Sequence, residues 1–159
     1  MKLSTKGRYG LRAVLELAVH ESDEAVALSL IAERQRISMN YLEQLIPKLR
    51  KAGIVKGIRG AQGGYLLAMP ADQISIGDIL RALEGDLNPV NCADVSNGDG
   101  SCSNSDTCVT KYVWKRISDS INDAVDGIML SELVEESKRV QAEAEIPTNS
   151  DSKKQSCGK

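Results

Sequence analysis

Apolar residues recur along this chain at helical spacing, interrupted once by two short runs that read as strands. Leu11, Val14, Leu15 and Ala18 make one face of a first helix over residues 1–20, which His20 ends as a surface or capping group. Leu30 and Ile31 form the inner side of a shorter second helix, with Glu33 and Arg34 outward and Ser29 placed to cap it. Ile37 packs the turn that follows. Ser38 then caps a third helix whose Leu42, Leu45, Ile46 and Leu49 repeat at i, i+3, i+4 and i+7. Pro47 removes one backbone bond and predicts a kink rather than a break. Gly53 closes this helix, because the left-handed position after a helix is cheapest for glycine. Two apolar runs, Ile54–Ile58 and Tyr65–Leu67, are joined by Arg59-Gly-Ala-Gln-Gly-Gly64, a hairpin with an arginine at its glycine-rich tip.

Helix, short turn, helix and hairpin in this order predict a winged helix-turn-helix, a mainly α fold with a small β wing. On the third helix the polar positions are Asn40, Tyr41, Glu43, Gln44, Lys48 and Lys51, side chains suited to base edges and phosphates. With Arg59 on the wing they form the candidate DNA-binding set. The same pattern also describes an amphipathic helix beside a hairpin with a merely solvated Arg59.

Past the wing, Pro70 breaks the strand, and Ser75 with Asp78 forms a capping-box arrangement for a helix that Gly85 ends. Ile76, Ile79, Leu80 and Leu83 are its core face. Residues 86–106 are polar and without apolar period, a loop long enough to be functional or disordered. A long helix is expected from Thr107 to about Asp126, with Val109, Val113, Ile117, Ile121, Ala124 and Ile128 on one stripe. Lys115, Arg116, Asp119, Asn122 and Asp123 face away from it. A stripe of that length predicts a second copy of the same helix as partner, although it could also be intrachain core. Ser131 is expected to cap a short last helix through Leu133 and Val134. The division is therefore 1–85 for DNA binding, 86–106 for the cysteine loop, 107–137 for the dimerisation helix and its short successor, and 138–159 as a disordered tail.

Charge sharpens the picture. Residues 1–60 hold 11 Lys/Arg against 6 Asp/Glu, a balance of +5, whereas residues 61–159 hold 9 against 16, a balance of −7. The basic half is the half with the helix and wing, as nucleic-acid binding requires. Lys2, Lys6, Arg8 and Arg12 at the start of the first helix are either phosphate contacts or a solvated face. No phenylalanine is present and Trp114 lies far from the wing, which argues against single-strand binding by stacked aromatics. No apolar run is long enough for a membrane span, and the N-terminus lacks a signal-like apolar core, so a cytoplasmic protein is expected. There is no nucleophile–base pair, and GAQGGY sits in a hairpin instead of between strand and helix, so no enzyme is expected.

Cys92, Cys102 and Cys108 follow a C-x9-C-x5-C spacing in or beside the polar loop, while Cys157 lies in the tail and is taken as incidental. Reduced thiols of a cytoplasmic protein point to metal or redox chemistry before a structural disulfide. Zinc sites usually bring paired C-x2-C ligands, which are missing, and an iron–sulfur cluster tolerates one ligand other than cysteine. Cluster, zinc and unconnected thiols all remain open on spacing.

The opening MKLSTKGRYGLRA, the segment ISMNYLEQL…LRKAGIVKGIRGAQGGYLLA and the cysteines before TKYVW together resemble the IscR/NsrR/CymR family of bacterial winged-helix regulators over roughly residues 1–136. The likeness is greatest to its IscR branch, regulators of iron–sulfur cluster assembly. The resemblance implies a homodimer on a palindromic double-stranded operator, with a 2Fe–2S cluster on Cys92, Cys102 and Cys108. It also implies Tyr41, Glu43 and Gln44 in the major groove, Arg59 in the minor groove, and a part for Glu43 in discriminating between sites. The chain departs from the pattern at the fourth cluster ligand. The histidine position of the IscR branch is Lys111, and the carboxylate position of the nitric-oxide sensor branch is Arg8. Two functions therefore compete beside a zinc, thiol-redox or nitric-oxide sensor. One is a dimeric regulator sensing cluster status, and the other is a cluster-free regulator that docks a protein partner, as in the cysteine-metabolism branch.

Overall fold

The structure, a computed structural model, describes residues 4–20, 24–60, 63–90 and 107–144. Its helices are α1 (Thr5–Val19), α2 (Leu28–Gln35), α3 (Met39–Lys51), α4 (Ile76–Glu84), α5 (Lys111–Asp126) and α6 (Leu130–Ala144), and its strands are β1 (Val55–Ile58) and β2 (Gly64–Leu67). The two strands pair antiparallel with Val55 opposite Leu67 and Ile58 opposite Gly64. The winged helix-turn-helix plan is thus present, with α3 as the second helix of the turn and β1–β2 as the wing.

The core is built from the faces that the sequence marks. Leu42, Leu45, Ile46 and Leu49 of α3 are almost wholly buried, as are Ile79 and Leu83 of α4. α3 runs unbroken through Pro47. Ser38 accepts the Tyr41 amide, Ser75 and Asp78 form the full capping box, and Gly53 takes a φ of +73°.

Four expectations need correcting. The buried face of α1 is Ala13, Val14, Leu17 and Ala18, while Leu11 and Leu15 pack only at its margin. The rotation follows from a close crossing of α1 on α4. A Cβ on Gly7 would stand 2.8 Å from Glu84 Oε1, and one on Gly10 would run into the Leu83 side chain. Second, α2 begins at Leu28 behind Ala27, not at Ser29. Val26 bridges to Tyr65 on the free side of β2, both bonds at 2.9 Å, which sets where the chain turns into the helix without a side-chain cap.

Third, α5 starts at Lys111 instead of Thr107, and its inner face includes Asn122. Asn122 accepts from Arg81 at 3.1 Å and donates to the Ser118 carbonyl. Arg81 also reaches Asp126, so α4 and α5 are joined by polar ties beside the apolar ones. Fourth, α6 is not short and Ser131 does not cap it: the helix already includes Leu130 and continues past Ser137 to Ala144, so residues 138–144 of the expected disordered tail are helical and 145–159 lie outside the described residues. Glu136, Arg139 and Glu143 pair along its surface at i, i+3 and i+4 spacing, the kind of support that sustains a helix without apolar contacts. Leu130 and Val134 are its anchors in the core.

Candidate nucleic-acid interface and cysteine segment

Burying Leu42, Leu45, Ile46 and Leu49 forces the other positions of α3 outward. Asn40, Glu43, Gln44 and Lys51 are exposed, together with Met39 in the first turn. Arg59 is exposed at the end of β1, and the wing-tip residues Ala61 and Gln62 lie outside the described residues. The structure therefore brings the predicted polar face and the wing arginine to the surface.

Two members of the set are held more firmly than the sequence suggests. Tyr41 is half-buried, its ring edge-on to Tyr9 at 5.7 Å and its hydroxyl 2.9 Å from Thr5 Oγ1. The start of α1 thereby fixes a side chain of α3. Neither Thr5 nor Tyr9 was singled out by pattern, because the contact spans 36 residues of chain. Lys48 turns its ammonium to the Leu83 carbonyl of α4 at 3.2 Å, so it serves the fold whether or not it also meets phosphate.

The early cations divide likewise. Arg12 donates to Gln35 Oε1 at 3.0 Å and to its carbonyl at 2.5 Å, tying α1 to α2. Arg8 is exposed and lies 5.8 Å from the centre of the Tyr9 ring, and Lys2 lies outside the described residues. His20 caps α1 and shares Glu16 with Arg34, a fold-holding group. Glu84 was also missed. Its carboxylate accepts from the Ser4 amide at 3.0 Å, the Ser4 hydroxyl at 2.7 Å and the Gly7 amide at 2.8 Å, anchoring the N-terminus of α1. Burial opposes ionisation there, but these bonds and the Lys6 charge outweigh it and hold the carboxyl below the ordinary glutamate range.

Of the candidate metal ligands, Cys92 and Cys102 lie outside the described residues. Cys108 precedes α5 and is not in its first turn. Its sulfur stands 3.1 Å from Thr110 Oγ1. That contact, the Lys111 and Thr110 amides and the Lys111 charge together hold its thiol below the usual range against some desolvation. A thiolate-leaning cysteine suits metal ligation. Among the described residues no three potential ligands gather. Lys111, at the histidine position, sets its ammonium 5.5 Å from the Tyr112 ring centre.

Along α5 and the residues flanking it the apolar stripe stays largely open: Tyr112 is 65 % exposed and Val113 56 %, with Trp114 and Ile117 exposed on the helix, Val109 at 77 % before it and Ile128 exposed after it, while Ile121 packs against the core. No helix among the described residues is long and apolar enough to cross a membrane.

Residues 3–136 match the Rrf2 family, described as iron-dependent transcriptional regulators. The HTH-type transcriptional regulator IscR of Vibrio cholerae is 42 % identical over 134 residues, 84 % of this chain and 75 % of that protein. Among solved structures, T. potens IscR superposes with a TM-score of 0.71 at 43 % identity, covering 89 % of this chain and 91 % of that one. CymR, the global cysteine regulator of B. subtilis, superposes at 0.69 with 39 % identity, covering 85 % and 97 %. These relatives are regulators and not enzymes. With a matched family model across most of its length and the winged helix-turn-helix in place, this chain belongs to the Rrf2 family of transcriptional regulators.

Proposed function

We propose that this regulator binds a palindromic operator as a homodimer and reports iron–sulfur status through a cluster on Cys92, Cys102 and Cys108. The observation that carries the DNA reading is the outward polar face of α3 beside the wing. Gln44 can bond adenine through both amide atoms, Glu43 can accept from cytosine N4, and Asn40 is equally suited to adenine. Tyr41, locked against Tyr9 and Thr5, presents a fixed edge, and Arg59 suits a narrow A·T-rich minor groove. Lys48 supplies positive charge close to phosphate.

The open stripe of α5 supports the dimer, since an apolar row at such exposure calls for a covering surface. Self-association by two-fold symmetry covers it and sets two copies of α3 at half-site spacing. Cys108 supports the cluster by its place just before α5, at the edge of the cysteine segment. A bound cluster supplies a redox-active, labile iron centre whose occupancy tracks iron and sulfide supply. The chain's part is to offer thiolates and a fourth donor, an oxygen of the loop or an exchangeable group in place of the histidine. The name of the IscR relatives favours this reading over the cluster-free one.

The test is purification without oxygen, followed by the visible spectrum, iron and sulfide content, and gel-shift titration of duplex DNA with and without iron chelation. Charge-transfer bands with matched iron and sulfide, and duplex selectivity that changes on chelation, are expected. Colourless protein after anaerobic reconstitution refutes the cluster and favours the partner-docking reading. No duplex selectivity refutes the DNA reading.

A further inference from the structure

Two helices of this chain end in the same hydrogen-bonded turn. At the end of α3 the Gly53 amide donates to the Arg50 carbonyl and the Ile54 amide to that of Leu49, both at 3.0 Å. At the end of α2 the Arg36 amide donates to Glu33 at 3.2 Å and the Ile37 amide to Ala32 at 3.0 Å. Each turn is followed by a buried isoleucine, Ile54 or Ile37. This closure needs a left-handed residue at the position after the helix, where glycine is favoured because a Cβ crowds the backbone. Gly53 meets that need with φ +73°. Arg36 meets it with φ 52° and ψ 46°, and it is the non-glycine residue with positive φ among the described residues.

An arginine in that conformation opposes a backbone preference that glycine would satisfy, and this points to a use for its side chain. Among the described residues the fold makes no use of it. Arg36 is exposed, and its guanidinium has no hydrogen bond, ion pair or ring contact among the described residues. The neighbouring arginines differ: Arg12 is bound to Gln35, and Arg34 is bound to Glu16 at 2.9 Å. Arg36 also stands two residues before Ser38, the cap of α3, on the approach to the exposed first turn of that helix.

We infer that Arg36 is a phosphate contact, a cation kept at the helix-turn-helix corner to grip the DNA backbone beside the groove that α3 enters. The inference rests on the DNA reading above and adds a residue to it. A guanidinium is always charged and bonds two phosphate oxygens at once, and a residue on the turn lies at the groove's rim instead of among base edges. Such a contact positions the protein without reading sequence.

The experiment measures duplex affinity across a salt series for Arg36→Gly, Arg36→Gln and Arg36→Lys. It uses a duplex selected by the wild type from a random pool and a scrambled duplex, with Arg59→Ala in parallel. Arg36→Gly and Arg36→Gln should weaken both duplexes alike by several-fold and make the slope of log affinity against log salt shallower by about 1. Arg36→Lys should keep the slope. The thermal midpoint of Arg36→Gly should equal or exceed that of the wild type, because glycine fits the left-handed turn. An unchanged salt slope in both Arg36→Gly and Arg36→Gln overturns the inference, and so does a lower midpoint for Arg36→Gly, which would make the side chain a prop of the fold. If Arg59→Ala loses preference for the selected duplex while the Arg36 variants bind normally, the DNA reading stands and Arg36 falls alone. If the wild type binds no duplex, both fall.

Discussion

Replacing Glu84 with alanine removes the acceptor for three donors at the start of α1: the Ser4 amide, the Ser4 hydroxyl and the Gly7 amide. The Gly7 amide matters most, since Gly7 is buried against α4 and water cannot readily replace the lost bond. A buried amide left unpaired costs roughly 1–3 kcal/mol. The Ser4 donors are more accessible and recover part of their bonding from water, and the loss of a carboxylate at a helix N-terminus adds about 0.5 kcal/mol. The sum is about 2–3 kcal/mol, which for a chain of this size lowers the melting midpoint by roughly 5–10 °C. Glu84→Gln keeps an acceptor for Gly7 and should cost about 1 kcal/mol. Urea unfolding at fixed protein concentration checks this, with the midpoint falling and the m-value constant. The pH dependence has a definite sign. The folded carboxyl titrates below its unfolded value, so its contribution is complete above the unfolded pKa and lost as pH falls through the folded one. The difference between wild type and Glu84→Gln should therefore be constant near neutrality and shrink below about pH 4.3. An unchanged midpoint for Glu84→Ala, or a wild type–Gln difference that ignores pH, refutes the account.

Arg59→Ala and Gln44→Ala should each weaken the specific duplex by about 1–3 kcal/mol and leave non-specific binding nearly intact, as read by gel shift. Lys48→Ala should weaken all duplexes alike and also cost about 0.5–1.5 kcal/mol of stability, because its bond to the Leu83 carbonyl goes with it; stability without any change in salt slope would confine Lys48 to the fold. Ile117→Asp sets a charge in the exposed stripe of α5 and should raise the dimer dissociation constant roughly a hundredfold, measured by sedimentation; an unaltered dimer would remove that stripe from the interface. Lys111→Ala should retain reconstituted iron and sulfide whereas Cys108→Ala loses them, and equal loss in both would make the lysine a ligand.

The sequence was most informative where one residue type solves one local problem. Ser38, the Ser75–Asp78 box and Gly53 each meet a backbone need within four residues, so their roles could be read from spacing. Reading failed where distant segments decide. Ala27 precedes α2 because Val26 is pinned to Tyr65, and α1 is rotated because Gly7 and Gly10 admit α4. It also failed where apolar content stops being a guide. Val109 continues the stripe of α5 outside the helix, and α6 continues on charge pairs after its apolar anchors end. At the interface the outward positions of α3 follow directly from its buried ones. The ties of Tyr41 to Tyr9 and of Lys48 to Leu83 could not be read, because neither partner is near in sequence. Arg36 escaped notice for a related reason: no glycine marks the end of α2, although the turn there is one that glycine would normally make.

α4 is the element whose importance pattern alone understates. Its apolar face is ordinary core, but its polar groups hold three other helices: Leu83 takes Lys48 of α3, Glu84 takes the start of α1, and Arg81 takes Asn122 and Asp126 of α5. In the proposed dimer α5 meets its twin and α3 meets DNA, so the distance between two recognition helices is carried through α4 on both sides. Half-sites one helical turn apart tolerate little error in that distance, and apolar packing alone allows helices to slide by small amounts. Directional hydrogen bonds from the last turn of α4, toward α1, α3 and α5, resist such sliding in a way that buried leucines do not. Arg81 should therefore matter less for the affinity of one subunit than for the spacing two subunits accept. An Arg81→Met protein that folds and dimerises should bind operators with altered half-site spacing almost as well as the original, where the wild type discriminates against them.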